Sequence, residues 1–353
     1  MLSVIAMFRF ERGRRQVAPW DFRVGIIFDI IYKDISEEDY SRFSEAKIQD
    51  NVKAVQEAIM KLRWSCHLLP VKDDVKTLIN LLELFRPDAV VNLCEAFFGR
   101  SKFEMNVPAV LELLKIPYTG SPPLTLGLCQ NKGLTKNILR ANGIPTPDYQ
   151  ILDSYKDWKN EIEFPLMVKP LREDASLGIM RKNFVRNGRQ LKSRVDYIIR
   201  RYKQPALVEK YIDGRELNVS ILGNEKPKVL PISEIIFEHK KEPKIVDYSA
   251  KWLEKSEEYQ NTKPVCPAKL SSSVEKTVKR TSLKAYKLLG CRDYARVDIR
   301  LKNGTPFILE VNANPDISLD SGFVRSLKAA GISYKKFIRE IIFFAVQRSY
   351  NTY

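Results

Sequence analysis

Residues 294–312 read YARVDIRLKNGTPFILEVN. Two β-rich runs, 294–301 and 306–312, flank Lys302, Asn303, Gly304 and Thr305, and an Asn-Gly pair in that setting predicts an antiparallel hairpin. Side chains alternate across a strand, so Arg296 and Asp298 share one face of the first run, and Glu310 and Asn312 share one face of the second. Brought together, Asp298, Glu310 and Asn312 make an oxygen-rich cluster beside a guanidinium. Hard oxygen ligands next to an arginine suit Mg²⁺ bound to phosphate oxygens. The same spacing is met by a half-exposed surface hairpin whose charges pair among themselves.

Upstream of the hairpin, apolar runs at 22–29, 66–71 and 89–93 alternate with helical spacing at 44–62, 75–85 and 103–114. Strands alternating with helices predict a parallel α/β layer, closing near the turn cluster Gly120, Ser121, Pro122 and Pro123. A second unit starts with a helix over 132–142 that stops at Gly143 before two prolines. Strands are expected at 149–152, 166–169 and 178–181, and a helix at 190–201. A third unit holds strands at 206–211, 216–222 and 229–237, and an irregular polar stretch near 238–270. A helix at 274–289, the hairpin and a terminal helix at 334–347 follow. The expected division is a basic extension at 1–20, an N-terminal α/β domain at 21–121, and two α+β lobes at 122–207 and 208–353.

The composition excludes several chemistries. The 353 residues include only two histidines, so a His-rich zinc site or a His-dependent relay has almost nothing to work with. Five scattered cysteines without a C-x-x-C pair suit a reducing compartment. No apolar run is long enough for a membrane span. Lys plus Arg outnumber Asp plus Glu by 59 to 43, a formal net charge of +16. That excess admits anionic partners without naming one. Residues 181–203 carry nine Lys/Arg and one Asp, but their apolar residues fall at helical spacing and no exposed aromatics are interleaved. Nucleic-acid binding is therefore not expected.

Lysines give a second signal. Lys169 ends the apolar run PLMVKP and precedes the small-residue stretch REDASLGI, which holds Ser176 and Gly178. A lysine at a strand end facing such a loop can hold phosphates together with backbone N–H donors. Lys132, at a helix start, can add a second positive group, although each lysine alone also fits a solvated surface. No Walker A, G-x-G-x-x-G or G-x-S-x-G pattern occurs, so a nucleotide site must be of another kind. In VEKYIDGRELNVSIL (208–222), backbone groups of Lys210, Tyr211 and Ile212 can read an adenine edge, and Glu209 or Glu216 can take ribose hydroxyls.

These segments, in this order, resemble the ATP-grasp carboxylate–amine ligases and, within them, the D-alanine–D-alanine ligases. The likeness runs from about residue 24 to 345 and includes IPYTGSPPLTLGLCQNKGLTK (116–136), VKPLREDASLGI (168–179), VDYSAKWL (246–253) and ILEVNANP (308–315). It implies an α/β fold of the three-unit ATP-grasp type, whose two α+β lobes clasp ATP. It implies that Lys132 and Lys169 hold the phosphates, with Ser176 and Gly178 in the loop closing over them. Glu209, Lys210 and Ile212 would serve the adenine edge, Glu216 the ribose, and Lys251 of a mobile loop the γ-phosphate. Asp298, Glu310 and Asn312 would bind two Mg²⁺ ions, for which Mn²⁺ is an admissible substitute. Arg296 would lie beside the acyl phosphate, and Ser321 would grip the second substrate's carboxylate.

The departures concern the substrate pocket. A Gly-rich G-G-x-S-x-E turn of that family is replaced by FDIIYKDISEEDY (28–40). Ala175 stands for the first serine of the phosphate loop, Trp252 for a Tyr or Phe, and Asp316 for a glycine of the oxyanion hole. Asn92, Glu95 and Glu104 become candidate pocket residues. The expectation is an ATP-dependent, peptide-bond-forming ligase acting on amino acids or short peptides, with a rebuilt acceptor pocket. Cytoplasmic location, no membrane partner and a homodimer as an admissible assembly complete the reading.

Overall fold

The computed structural model describes residues 11–12, 15–16, 22–30, 41–173, 178–238, 242–247 and 256–352. Of the expected basic extension, Glu11–Arg12 and Arg15–Gln16 pair as a short antiparallel ribbon.

The first parallel strands are β1 (Arg23–Asp29), β2 (Ser65–Val71) and β3 (Ala89–Asn92), in the order β2-β1-β3. Every residue of β3 is buried, the mark of a strand covered on both faces. Helix α1 (Ser41–Met60) and helix α2 (Val75–Phe85) connect them. Asp74 caps α2 by accepting from the Lys76 and Thr77 amides, and Arg86 closes it in a left-handed conformation before Pro87. Ile27, Leu69, Leu78, Leu82, Val90 and Leu111 form the core. Helix α3 (Asn106–Leu113) begins later than the spacing suggests, because Ser101–Phe103 forms a separate 3₁₀ turn.

A second compact unit spans Ser121–Gly331, while Ile332–Tyr353 belongs with Met1–Gly120. In the second unit, helices α4 (Pro123–Gln130) and α5 (Lys132–Ala141) lead into an antiparallel sheet. It is built from β4 (Tyr149–Leu152), β5 (Leu166–Pro170), β6 (Phe184–Val185) and β7 (Ala206–Lys210), in the order β4-β7-β5-β6. Helix α6 (Gly188–Tyr202), capped by Asn187, lays Leu191, Val195 and Ile198 on this sheet. The strand expected at 178–181 is absent. Gly178 has φ +75°, its Cβ position would lie 2.8 Å from Pro170 and 2.9 Å from Tyr202, and a 3₁₀ turn follows at Arg181–Asn183.

The second sheet of this unit contains β8 (Arg215–Leu222), β9 (Lys228–Val229), β10 (Ser233–Phe237), β11 (Thr262–Val265), β12 (Tyr294–Lys302) and β13 (Thr305–Asn312). Its order is β11-β10-β8-β12-β13, with β9 paired to β8. Part of the stretch expected to be irregular, 238–270, therefore supplies an edge strand, preceded by the short helix α7 (Glu257–Gln260). Helices α8 (Ser272–Leu288) and α9 (Gly322–Ala329) complete the unit. Because β7 reaches Lys210 within the first sheet, the link between the lobes is 211–214 rather than the expected junction after 207. Helix α10 (Tyr334–Thr352) was expected in the C-terminal lobe. It instead packs against α1 and β3, with Phe337, Ile338, Ile341 and Ile342 buried, and Arg348 donates to the Tyr118 carbonyl at 2.7 Å.

Candidate active site

The hairpin forms as the spacing predicts. Across β12 and β13, Arg296 stands opposite Asn312 and Asp298 opposite Glu310; across β8, Asn218 stands opposite Asp298 and Ser220 opposite Arg296. The charges lie on one face. Arg296 forks onto Asp298, with Nε to Oδ1 and Nη2 to Oδ2 both 2.8 Å. Asn218 Nδ2 donates to Oδ1 at 2.8 Å and Asn312 Nδ2 to Oδ2 at 3.0 Å. Burial alone would lower the pKa of the Arg296 guanidinium, but Asp298, Glu310 and Asp316 around it hold it above the usual value and keep the group charged.

Three lysines approach from the other lobe. Lys132 Nζ lies 3.7 Å from Glu310 Oε2 and also donates to the Glu173 carbonyl, at the start of the small-residue loop. Lys169 Nζ lies 2.6 Å from Glu209 Oε1, and Lys136 Nζ lies 2.7 Å from Glu209 Oε2. Lys136 is wholly buried and donates further to Thr146 Oγ1 at 2.8 Å. Burial pushes the Glu209 carboxyl up, but the ammonium groups of Lys136 and Lys169 outweigh it and hold it down at about 2. Burial in turn lowers Lys136 below the ordinary lysine value, against the pull of Glu209.

Glu216 meets Arg300 directly across the β8–β12 register, with Oε2 2.5 Å from Nη2. Arg300 also donates to the Gly214 carbonyl at 3.0 Å and to the Lys244 carbonyl. The turn before β8 needs glycine, since a Cβ on Gly214 would fall 2.4 Å from the Leu301 carbonyl oxygen. Ser321 is the N-cap of α9, its Oγ accepting from the Val324 amide at 3.2 Å.

Among the described residues no group of three His, Cys, Asp or Glu side chains could hold a metal ion. The fit of Mg²⁺ rests on a mixed set. Asp298 and Glu310 face each other across the hairpin with Asn312 alongside. Asp298 has both oxygens engaged by N–H donors, whereas Glu310, 29% exposed, meets among the described residues the ammonium of Lys132 at 3.7 Å. One or two carboxylates beside phosphate-binding cations are what Mg²⁺ uses, so the residues fit it.

A sequence model of the family described as D-ala D-ala ligase C-terminus matches residues 138–343. The chain belongs to the D-alanine–D-alanine ligase family. The D-alanine–D-alanine ligase of Pelotomaculum thermopropionicum is 30% identical over 291 residues, covering 79% of this chain and 87% of its own. An uncharacterised protein of Sinorhizobium fredii, y4sG, is 38% identical over 283 residues, covering 77% and 81%. Among solved structures, the D-alanine–D-alanine ligase of Bacillus anthracis complexed with ATP superposes with TM-score 0.73 at 28% identity, covering 94% of this chain and 99% of that one. The VanG D-Ala:D-Ser ligase of Enterococcus faecalis, 19% identical with TM-score 0.71, shares the fold. The α+β architecture is accordingly that of the ATP-grasp ligases.

Of the residues expected in a D-alanine–D-alanine ligase site, the second unit brings together Lys132, Lys169, Glu209, Arg296, Asp298, Glu310 and Asn312. The Glu209 carboxylate faces two lysines, and the Lys210 side chain runs to the Glu163 carbonyl at 3.0 Å, so on both residues only the backbone is left for an adenine edge. Ile212 is buried in the link that follows. Gly178 packs on Pro170 and Tyr202. Ser176, Lys251 and Trp252, with Ala175, lie outside the described residues. Glu104, nine-tenths buried, belongs to the first unit, where with Asp29 and Glu95 it adds to the burial that raises the Cys94 thiol. Lys136, Asn218 and Arg300 escaped the sequence reading. Lys136 follows Lys132 by one helical turn, and Arg300 continues the alternation of Arg296 and Asp298, so both had a periodic signal.

Among the described residues no helix is long and apolar enough to cross a membrane.

Proposed function

We propose that this chain is an ATP-dependent carboxylate–amine ligase that works through an acyl phosphate. The observation that carries the reading is the convergence of Lys132 on Glu310, beside the Arg296–Asp298 fork and the Lys169–Glu209 pair. In this reading a substrate carboxylate oxygen attacks the γ-phosphorus of ATP and ADP departs. An amine then attacks the acyl carbon, phosphate leaves, and the amine sheds a proton. Lys132 and Lys169 spread the phosphate charge, and Arg296, held rigid by Asp298, stands by the developing oxyanion. Asp298, Glu310 and Asn312 would hold Mg²⁺, which supplies charge neutralisation on phosphate oxygens. Ser321 serves the acceptor's carboxylate, and Lys251, Ser176 and Trp252 complete the set of expected site residues. No side-chain nucleophile is required, in keeping with the two histidines of the sequence. Cytoplasmic location follows from the need for ATP.

In this reading the first substrate is an amino acid or short peptide, and D-alanine is a poor one. Ala175 supplies no hydroxyl, Trp252 supplies an N–H donor, and the Gly-rich turn is replaced, so an ammonium loses its acceptors. Losing a buried charged partner costs roughly 2–5 kcal/mol. The test incubates the protein with Mg²⁺-ATP and a panel of D- and L-amino acids, hydroxy acids and short peptides, following phosphate release and product mass. ADP should form only with the matching pair, and Glu310→Gln should fold normally yet lose turnover. Near-native turnover in that variant would remove the metal assignment. The highest kcat/KM for D-alanine would instead establish a true D-alanine–D-alanine ligase of cell-wall synthesis, the alternative that the names of the 30–35% identical relatives favour.

A further inference from the structure

We propose that Arg300 is the positioning residue for ribose recognition, and that it ties the segment 242–247 to an occupied nucleotide site. The inference rests on reading Glu216 as the ribose carboxylate.

One guanidinium serves three acceptors on two segments of chain. Nη2 holds Glu216 Oε2 at 2.5 Å and also meets the Lys244 carbonyl, while Nη1 donates to the Gly214 carbonyl at 3.0 Å. The side chain is only 5% exposed, and the Tyr211 and Phe237 rings lie 5.9 and 5.6 Å from it. Tyr211 strengthens the same connection, since its hydroxyl accepts the Lys244 amide at 3.1 Å. Residues 242–247 are thus clipped at Lys244 by both its N–H and its C=O. They lead directly into residues 248–255, which contain Lys251.

The carboxylate is engaged on one side. Oε2 carries the arginine, and Oε1 accepts no hydrogen bond among the described residues. A carboxylate fixed at one oxygen by a charged, planar donor offers the other in a defined direction, which a freely rotating glutamate does not. Hydroxyl groups of a ribose are weak donors and gain most from an acceptor already oriented. Arg300 therefore makes Glu216, whose side chain is only 14% exposed, a directional acceptor. The same fork makes the geometry at Glu216 and the position of Lys244 interdependent.

The experiment measures Mg²⁺-dependent binding of ATP, 2′-deoxy-ATP and 3′-deoxy-ATP to the full chain and to its Arg300→Met and Arg300→Lys variants. The wild type should bind at least one deoxynucleotide about tenfold or more weakly than ATP, the scale of one charge-assisted hydrogen bond. In Arg300→Met that ratio should fall below about threefold. Arg300→Lys keeps the charge but has one nitrogen in place of a fork. It should fall in between, and it carries the test if the methionine variant does not fold. Hydrogen exchange gives a second readout: ATP should slow exchange at 242–247 in the wild type and lose that effect in the variants. A residue that merely stabilises the lobe would weaken all three nucleotides alike and leave the ratios unchanged. Wild-type discrimination retained in both variants overturns the proposal, as does a wild type indifferent to the ribose hydroxyls. A wild type that binds no ATP at all instead overturns the ligase reading.

Discussion

Glu209 shows how one side chain organises two others. Its carboxylate is 2% exposed and lies between Lys136 and Lys169. Removing one partner from a buried charge set costs more than the set itself contributes, because the remaining charges stay desolvated. Glu209→Gln should therefore destabilise the protein by about 3–5 kcal/mol near neutrality. The pH dependence has a fixed sign. The folded carboxyl sits at about 2, below its ordinary value, so between the two the unfolded chain binds more protons. The stabilisation is complete above the ordinary carboxylate range and is lost as pH falls toward 2. Urea denaturation from pH 2.5 to 7 should show the wild-type advantage over Glu209→Gln growing with pH and levelling off above about 5. A pH-independent difference would mean that the charge is not what the lysines hold. Lys136 shows why this group was hard to find in the sequence. A helical lysine one turn after Lys132 reads as solvated, and the partner that buries it stands in a strand on the far side of another helix and three strands.

At the level of elements, the hairpin was legible because everything that fixes it is local: a period of two, an Asn-Gly turn and charges at alternate positions. Its pairing partner was less so. That β8 lies beside β12, and so adds Asn218 and Glu216 to the same face, depends on the tight passage at Gly214 and on non-local register. Gly214→Ala makes this dependence measurable. The new methyl would fall 2.4 Å from the Leu301 carbonyl oxygen, so the chain must shift at the point where Arg300 reaches Gly214. Overpacking of this kind costs about 1–3 kcal/mol, visible as a lower urea midpoint with an unchanged slope. An unaltered midpoint would show that the two strands approach less closely than described. The strand expected at 178–181 failed for a related reason: Gly178 adopts a left-handed conformation that ends an extended run.

At the level of the molecule, the first compact unit is discontinuous, made of Met1–Gly120 and Ile332–Tyr353. Sequence order placed the terminal helix in the last lobe, because amphipathic spacing shows that a helix needs a surface but not which one. Phe337 is fully buried, and its helix covers β3. Phe337→Ala should cost about 3–5 kcal/mol of core packing. Hydrogen exchange should report faster opening in β3 while β5 keeps its protection. Equal loss in both strands would indicate that the two units unfold as one.

The connection between α5 and β4 has an effect beyond joining a helix to a strand. β13, which carries Glu310, is the last strand of its sheet, and an edge strand normally offers open N–H and C=O groups to any passing chain. Here Ile308 donates its amide to the Pro145 carbonyl at 2.8 Å, and its carbonyl accepts the Thr146 hydroxyl at 2.8 Å, with Lys136 bonded behind that hydroxyl. The rim that bears the acidic residue is thereby closed at its midpoint to intermolecular strand pairing. Protection against aggregation is thereby tied, through Thr146, to the buried lysine that pairs with Glu209 inside.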